Sequence, residues 1–124
     1  MQNPVSWFEI YVSDLEKSML FYETVLCKKL TLMQSPMPHL QLAAFPAEKT
    51  SYGASGALVK MQGFQPHGNG TIVYFECDDC AIEESRVTSA GGQVEHSKMS
   101  IGEYGWICHF QDIDGNLIGL HSMS

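Results

Sequence analysis

The stretch Trp7–Leu26, WFEIYVSDLEKSMLFYETVL, decides the fold of this chain, because it combines one strand and one amphipathic helix without a gap. The strand part alternates with a period of two, so its side chains fall on two faces. One face is apolar and carries Phe8, Ile10 and Val12. The other face is aromatic and acidic and carries Trp7, Glu9 and Tyr11.

The helix part begins with a cap and continues with an apolar stripe. Ser13 is the predicted N-cap, with Glu16 three residues later, which is the spacing of a capping box. The apolar stripe recurs at helical spacing and consists of Leu15, Met19, Tyr22 and Leu26. We expect this stripe to pack on the apolar face of the strand, which sends Glu9 to the opposite face.

The same order of signals returns about 64 residues later, although few residues are identical. In this alignment the counterparts of Phe8, Ile10 and Val12 are Ile72, Tyr74 and Glu76. Asp78 takes the place of Asp14, and the apolar side of the second helix is predicted to carry Ile82, Val87 and Ala90. Gly91-Gly92 then ends the helix. The repeat predicts two copies of one supersecondary unit.

Three strands are expected after each helix, so each copy has the order βαβββ. In the first copy the strands are predicted at 28–33, 39–45 and 54–61, and in the second at 93–99, 105–110 and 116–122. Between the copies, the Gly-, Pro- and Asn-rich segment 62–70 is typical of a linker. We therefore expect one domain over residues 1–124, with unit one at about 4–61 and unit two at about 71–122.

Composition and charge exclude several classes of function. Of the 124 residues, 44% are hydrophobic and 17% charged, which is typical of a globular protein. Neither a continuous apolar stretch of membrane-spanning length nor a secretory leader is visible, so we expect a cytoplasmic protein without a membrane partner. The net charge of −7 and the scattered basic residues also argue against nucleic acid.

The cysteines allow two readings. Cys77 and Cys80 form a C-x-x-C at a junction of strand and helix, where redox pairs occur, and such a pair is also half of a structural zinc site. Asp78 and Asp79 lie between them, and two carboxylates oppose the lowering of a thiol pKa. We expect reduced, partly buried thiols, with redox or zinc chemistry as the alternative.

Several motifs together carry a family resemblance over nearly the whole chain. They are FEIYVSDLEKSMLFYETVL, GALVK, TIVYFECDD, IGEYGWI and DIDGNLIGLHS. This set resembles the glyoxalase/bleomycin-resistance/extradiol-dioxygenase superfamily, also called vicinal oxygen chelate. The resemblance implies an α+β fold in which two βαβββ units form a curled mixed sheet around a cavity, and a homodimer. Cys27 stands where such sequences commonly have the glycine that ends the first helix.

Metal-dependent members of that family bind a divalent cation through His and Glu on the first and last strands of each unit. Here the corresponding positions are Trp7, Thr71 and Gly119, and strand 54–61 contains no His, Asp or Glu. We therefore predict no metal and no cofactor. A shifted site is the alternative, and its candidates are Glu9, His109 and His121.

The remaining candidates predict a ligand site with aromatic walls. The expected walls are Trp7, Tyr11, Phe75, Tyr104 and Trp106, with Glu9, Glu103 and His121 as polar groups. Alternatively, the aromatic residues only fill the inner face of the sheet. The resemblance implies a protein that binds a small organic molecule in the sheet cavity. The second hypothesis is a lyase, isomerase or dioxygenase, either metal-dependent through the shifted site or metal-free with Glu9 as acid-base group.

Overall fold

The computed structural model describes residues 3–35, 37–48, 50–66 and 70–124. Over these residues the helices are α1 (Leu15–Leu26) and α2 (Cys80–Val87). The strands are β1 (Val5–Tyr11), β2 (Thr31–Met33), β3 (Leu40–Ala44), β4 (Ser55–Met61), β5 (Thr71–Glu76), β6 (Gln93–Ser100), β7 (Trp106–Gln111) and β8 (Leu117–Ser122). The predicted α+β fold of two βαβββ units is confirmed. In the described part of the chain, neither helix is long and apolar enough to cross a membrane.

The chain divides into two compact units with the same strand pairing. The first unit is Trp7–Thr71, and the second is Ile72–Ser124 together with the residues up to Ser6. In the first unit β4 pairs parallel with β1 and antiparallel with β3, which pairs antiparallel with β2. In the second unit β8 pairs parallel with β5 and antiparallel with β7, which pairs antiparallel with β6.

The core of the first unit confirms the faces predicted for β1. Ile10 packs with Met19 and Tyr22 of α1 against a buried cluster that consists of Val12, Leu15, Leu30, Ala43 and Leu58. On the opposite face, Trp7 and Tyr11 pack against Leu42, Ala57 and Val59. The predicted end of the helix stripe is wrong, because Leu26 is 47% exposed.

Helix α1 begins one residue later than the predicted cap implies. Asp14, in extended conformation, is the N-cap, and its Oδ1 accepts a hydrogen bond from the Lys17 amide at 3.1 Å. The prediction of a capping box formed by Ser13 and Glu16 is therefore wrong. At the other end, Cys27 adopts the left-handed conformation (φ 53°) that the missing glycine predicts. A side chain in this conformation costs about 1 kcal/mol relative to glycine.

In the second unit the faces predicted for β5 are exchanged. Phe75 packs on the side of α2, against the buried cluster of Cys77, Cys80, Cys108 and Leu120. Tyr74 and Glu76 therefore lie on the opposite face, because neighbouring residues of a strand alternate. The error is a shift of one residue: the N-cap of α2 is Asp79, which lies 65 residues after Asp14. A shift of one residue moves every side chain of a strand to the other face.

Helix α2 is shorter and less apolar than predicted. It ends at Val87, and Ile82, assigned to the apolar side, is 49% exposed. Glu84 instead points to the sheet, where its Oε1 accepts a hydrogen bond from the Lys98 amide at 2.7 Å. Gly91 has the positive φ (105°) expected for the residue that ends the helical turn.

Candidate functional site

The Glu9 carboxylate lies between two aromatic hydrogen-bond donors on the first unit's open sheet face, the face opposite α1. The indole Nε1 of Trp7 donates to Oε2 at 3.2 Å, and the hydroxyl of Tyr11 donates to Oε1 at 3.3 Å. All three side chains are half-buried. The predicted location of Glu9, beside Trp7 and Tyr11 and away from the helix, is confirmed. A carboxylate held by two donors in this way is fixed in orientation.

Tyr11 remains a donor over the whole physiological pH range. Burial raises the pKa of its phenol well above the usual value, and the negative charge of Glu9 and the hydrogen bond to it raise this pKa further. The Phe64 and Tyr11 rings pack edge to face, with their centroids 5.4 Å apart, and this contact holds the Tyr11 ring in place. The Glu9 carboxylate therefore keeps a fixed partner.

A second polar pair, Glu76–His121, lies on the second unit's open sheet face, the face opposite α2. The two residues are direct neighbours on the paired strands β5 and β8, and Nδ1 of His121 lies 2.8 Å from Oε1 of Glu76. The same carboxylate oxygen accepts a hydrogen bond from the Ser6 hydroxyl at 3.0 Å. On the other side of the ring, Nε2 lies 2.6 Å from the main-chain carbonyl oxygen of Tyr104. Both side chains of the pair retain partial exposure, 24% for Glu76 and 21% for His121.

Tyr74 and His109 form a further hydrogen-bonded pair on this face. The Tyr74 hydroxyl lies 2.7 Å from Nε2 of His109, and the His96 ring packs edge-on against His109. Burial, followed by the charge of His96, lowers the pKa of His109 to about 4. His109 is therefore neutral at physiological pH.

Gly119 makes the contact between Tyr74 and His109 possible. It is the register neighbour of both residues, on the strand between them. A Cβ atom at this position would overlap the Tyr74 ring, so the ring lies directly over the glycine. The absence of a side chain lets the phenol reach across β8.

The structure separates other residues that the sequence grouped into one site. Phe75 lies on the side of α2, as described above, and so does Trp106. The Lys98 ammonium lies 5.0 Å from the centre of the Trp106 ring and 2.8 Å from Oδ1 of Asp79, the N-cap of α2. Glu103 is exposed on the 3-10 turn Gly102–Tyr104, and the Tyr104 ring is 39% exposed. The part of this turn that contacts His121 is the main-chain carbonyl of Tyr104.

Four polar residues of the second unit's open face were not predicted from the sequence: Ser6, Tyr74, Glu76 and His96. They could have been predicted if Asp79, and not the adjacent Asp78, had been taken as the N-cap of the second helix. With Asp79 aligned to Asp14, Tyr74 falls on the position of Glu9 and is assigned to the open face.

The residues at the family's metal positions do not fit a metal ion. Trp7 and Gly119 have no ligating side chain. Because the caps Asp14 and Asp79 are 65 residues apart, the third position is Ile72 and not Thr71, and Ile72 cannot bind a metal either. The Tyr74 ring covers Gly119. Among the residues that the structure describes, no three His, Cys, Asp or Glu side chains are grouped so that they could hold a metal, which also argues against the shifted site.

The thiols of the second unit are buried in its core. Burial, followed by the charge of Glu83, raises the pKa of Cys77 to about 12, and burial likewise raises the pKa of Cys108. A protonated thiol is a poor nucleophile and a poor metal ligand. This argues against the redox and zinc alternatives for the C-x-x-C.

An apolar groove of about 410 Å³ lies on the other side of the first unit, next to α1. Its lining consists of Phe8, Ile10, Tyr22, Val25, Leu26, Lys28, Phe45, Pro46, Ala54 and Ser55. Phe8 and Ile10 belong to the helix-facing side of β1, so this groove and the Glu9 carboxylate are on opposite faces of the strand. Its lining offers few groups for acid-base chemistry.

The fold and the motifs agree with a family assignment from sequence. The model of the Glyoxalase/Bleomycin resistance protein/Dioxygenase superfamily matches residues 5–120. The chain therefore belongs to this superfamily. A search of curated proteins finds no match.

Solved structures with the same fold include methylmalonyl-CoA epimerases. A Streptomyces coelicolor methylmalonyl-CoA epimerase variant in complex with 2-nitronate-propionyl-CoA aligns with a TM-score of 0.68 and 17% identity, over 100% of this chain and 99% of that chain. The Mycobacterium tuberculosis epimerase aligns with a TM-score of 0.70 and 15% identity, over 98% and 88%. A hypothetical protein from Bacillus halodurans aligns with a TM-score of 0.73 and 13% identity, over 97% and 94%. At these identities the likeness shows the fold alone.

Proposed function

We propose that this protein binds a small organic molecule on the first unit's open sheet face, with Glu9 as the polar anchor. The observation that supports this function is the Glu9 carboxylate, whose two oxygens are oriented by Trp7 and Tyr11. Aromatic faces beside an oriented carboxylate suit a planar, partly apolar ligand that donates an N–H or O–H hydrogen bond. Binding of this kind needs no metal.

The test is to identify the bound ligand and then to weaken its binding with a variant. Native mass spectrometry of the protein purified from cells should show a bound small molecule, and dissociation followed by fragmentation should identify it. Glu9→Gln should weaken rebinding by about tenfold or more, because a hydrogen bond to a charged acceptor contributes about 1.5–3 kcal/mol. Glu16→Gln, an exposed carboxylate on α1, is the matched control and should bind normally.

Two results would contradict the proposed function. One is equal affinity of the wild type and Glu9→Gln for the identified molecule. The other is purified protein without any bound molecule that also shows no change in tryptophan fluorescence with a panel of planar aromatic amines and phenols. In that panel Trp106→Phe leaves Trp7 as the single reporter, since the chain contains two tryptophans.

A second candidate function is a metal-free isomerase or lyase. The Glu76–His121 pair supports it, because a carboxylate-oriented histidine is a common acid-base arrangement, and Glu9 is a further base on the other unit. The fold shared with methylmalonyl-CoA epimerases suggests a first substrate to test. An epimerase incubated with methylmalonyl-CoA in D₂O exchanges the C2 proton for deuterium, which proton NMR detects. Exchange that is lost in Glu9→Gln or His121→Gln would favour this function over simple binding.

We further propose that the protein is a cytoplasmic homodimer. Over the described residues, two strands of each unit pair on one side only within that unit, β1 and β2 in the first and β5 and β6 in the second. The unpaired main-chain groups of such a strand can pair with another chain. The free, buried thiols of the second unit suit a reducing compartment.

A further inference from the structure

Three aromatic rings pack against one another in the lining of the apolar groove next to α1. Phe45 lies between the other two, with its ring centroid 5.5 Å from that of Phe8 and 5.8 Å from that of Tyr22. Gly56 makes room for this packing, because a Cβ atom at this position would overlap the Phe8 ring. The Phe45 main-chain N–H donates to the Gly56 carbonyl oxygen at 2.9 Å, so β4 also fixes Phe45. The sheet therefore holds these rings in place without a ligand.

The lining of the groove contains one charged side chain, Lys28. The main chain around it is held on both sides. Cys27, in the left-handed conformation, ends α1, and the Leu30 N–H donates to Oε2 of Glu23 at 2.9 Å. The ion pairs of the described residues do not include Lys28. Although the whole chain is acidic, with a net charge of −7, the charge at this groove is therefore positive.

We propose that the groove binds an aromatic carboxylate. The three rings contact the ring of the ligand, and the Lys28 ammonium pairs with its carboxylate. The volume of about 410 Å³ and the mostly apolar lining with few polar groups are typical of a small-molecule site. The unpaired ammonium favours an anion over a neutral or cationic ligand. The groove and Glu9 are on opposite faces of β1, so this site is separate from the proposed function and does not depend on it.

The test compares three probes, which are naphthalene-2-carboxylate, naphthalene-2-carboxamide and acetate. Each is titrated at neutral pH into ¹⁵N-labelled protein. Naphthalene-2-carboxylate should shift the main-chain amide signals of residues 25–28, 45 and 54–55 along a saturable curve. The carboxamide should need about threefold to fivefold higher concentration, which is the effect of one ion pair at a protein surface. Acetate should cause no shift in the same range, because it has no aromatic body to bury.

Two matched pairs of variants locate the site. Lys28→Gln should remove the preference for the carboxylate, whereas Lys29→Gln, the same change of charge outside the lining, should keep it. Val25→Glu should weaken binding of naphthalene-2-carboxylate at least fivefold, because the new carboxylate competes for the Lys28 ammonium. Leu20→Glu, which is also at an exposed position of α1 but outside the lining, should bind like the wild type. The amide spectrum verifies that each variant is folded.

Each of the following outcomes would overturn the proposal. If naphthalene-2-carboxylate shifts none of these amides, the groove is not a ligand site. If the carboxylate and the carboxamide bind equally well, or if the preference survives Lys28→Gln, Lys28 only offsets the partial negative charge at the end of α1. If the same amides shift with protein concentration in the absence of a probe, a second copy of the chain covers the groove.

Glu9→Gln separates this proposal from the proposed function. The variant should respond to naphthalene-2-carboxylate like the wild type, since Glu9 lies on the other face of β1. Loss of the response in Glu9→Gln would place the probe at the Glu9 site and would also overturn the proposal. A normal response in a variant that has lost the ligand identified by mass spectrometry would show that the two sites are independent.

Discussion

At the scale of the residue, Gly119 determines what the second unit's open face can do. The family's metal-dependent members have a ligating side chain at the corresponding position, whereas here the Tyr74 ring lies over the glycine and reaches His109. The face therefore contains a phenol–imidazole hydrogen bond in place of a metal ligand. The glycine itself is visible in the sequence, but the ring above it is not, since it depends on the strand register.

We expect Gly119→Ala to lower the free energy of unfolding by about 1–3 kcal/mol, because its methyl group forces the Tyr74 ring out of its place. Denaturant unfolding measures this. In a Tyr74→Ala background the same substitution should cost less than about 0.5 kcal/mol, since the ring is gone. Equal costs in the two backgrounds would show that the ring does not pack on Gly119.

His109 should make stability depend on pH below neutrality. Its pKa in the folded protein is lowered to about 4, by burial and by the charge of His96. Above the ordinary histidine pKa of about 6.5 the ring is neutral in both states and contributes nothing. As the pH falls from 6.5 to 4, only the unfolded chain takes up this proton, so stability decreases, by at most about 3 kcal/mol.

The measurement is the free energy of unfolding at several pH values between 7 and 4, for the wild type and for His109→Gln. The wild type should lose more stability over this interval than the variant, which has no ring to titrate but keeps a hydrogen-bonding group for Tyr74. The other titratable groups facing His109 are His96 and Tyr74, and both are present in the two proteins. Parallel pH curves for the two proteins would contradict the lowered pKa.

At the scale of the element, the pattern predicted β1 and α1 well and β5 less well, and the difference has a physical cause. In β1 the apolar residues Phe8, Ile10 and Val12 alternate with an aromatic and acidic set that includes Glu9, so the helix-facing side is evident. In β5, Ile72–Glu76 is hydrophobic on both faces up to its last residue, and the face had to be inferred from the cap. Asp78 and Asp79 are adjacent, and the structure identifies Asp79 as the cap by its extended backbone and by the hydrogen bond that its side chain accepts from the Ala81 amide.

The cap of α1 offers a matched pair of substitutions. Asp14→Ala should lower the free energy of unfolding by about 1 kcal/mol, because the Lys17 amide loses its acceptor. Ser13→Ala should change it by less than about 0.5 kcal/mol, since Ser13 is exposed and precedes the cap. Thermal unfolding of the two variants compares them directly. The reverse order of effects would restore the capping box predicted from the sequence.

At the scale of the whole molecule, the proposed homodimer has a simple test. Sedimentation equilibrium or light scattering in the micromolar range should give twice the 13.8 kDa of one chain. The physical reason is the presence of edge strands that pair on one side only within their unit. A mass of 13.8 kDa throughout this range would show a monomer.

The start of β1 belongs to the second unit and the rest of β1 to the first, so the two units cannot be separated by dividing the chain at one point. Pro4 and Ser6 belong with the second unit: the Pro4 carbonyl accepts the main-chain N–H of Glu76 at 3.0 Å, and Ser6 contacts its carboxylate. A split between codons 71 and 72 therefore leaves the C-terminal fragment without these two partners, although it contains a complete set of βαβββ elements. A circular permutant that begins at Ile72 and joins Ser124 to the original N-terminus keeps them on the same polypeptide.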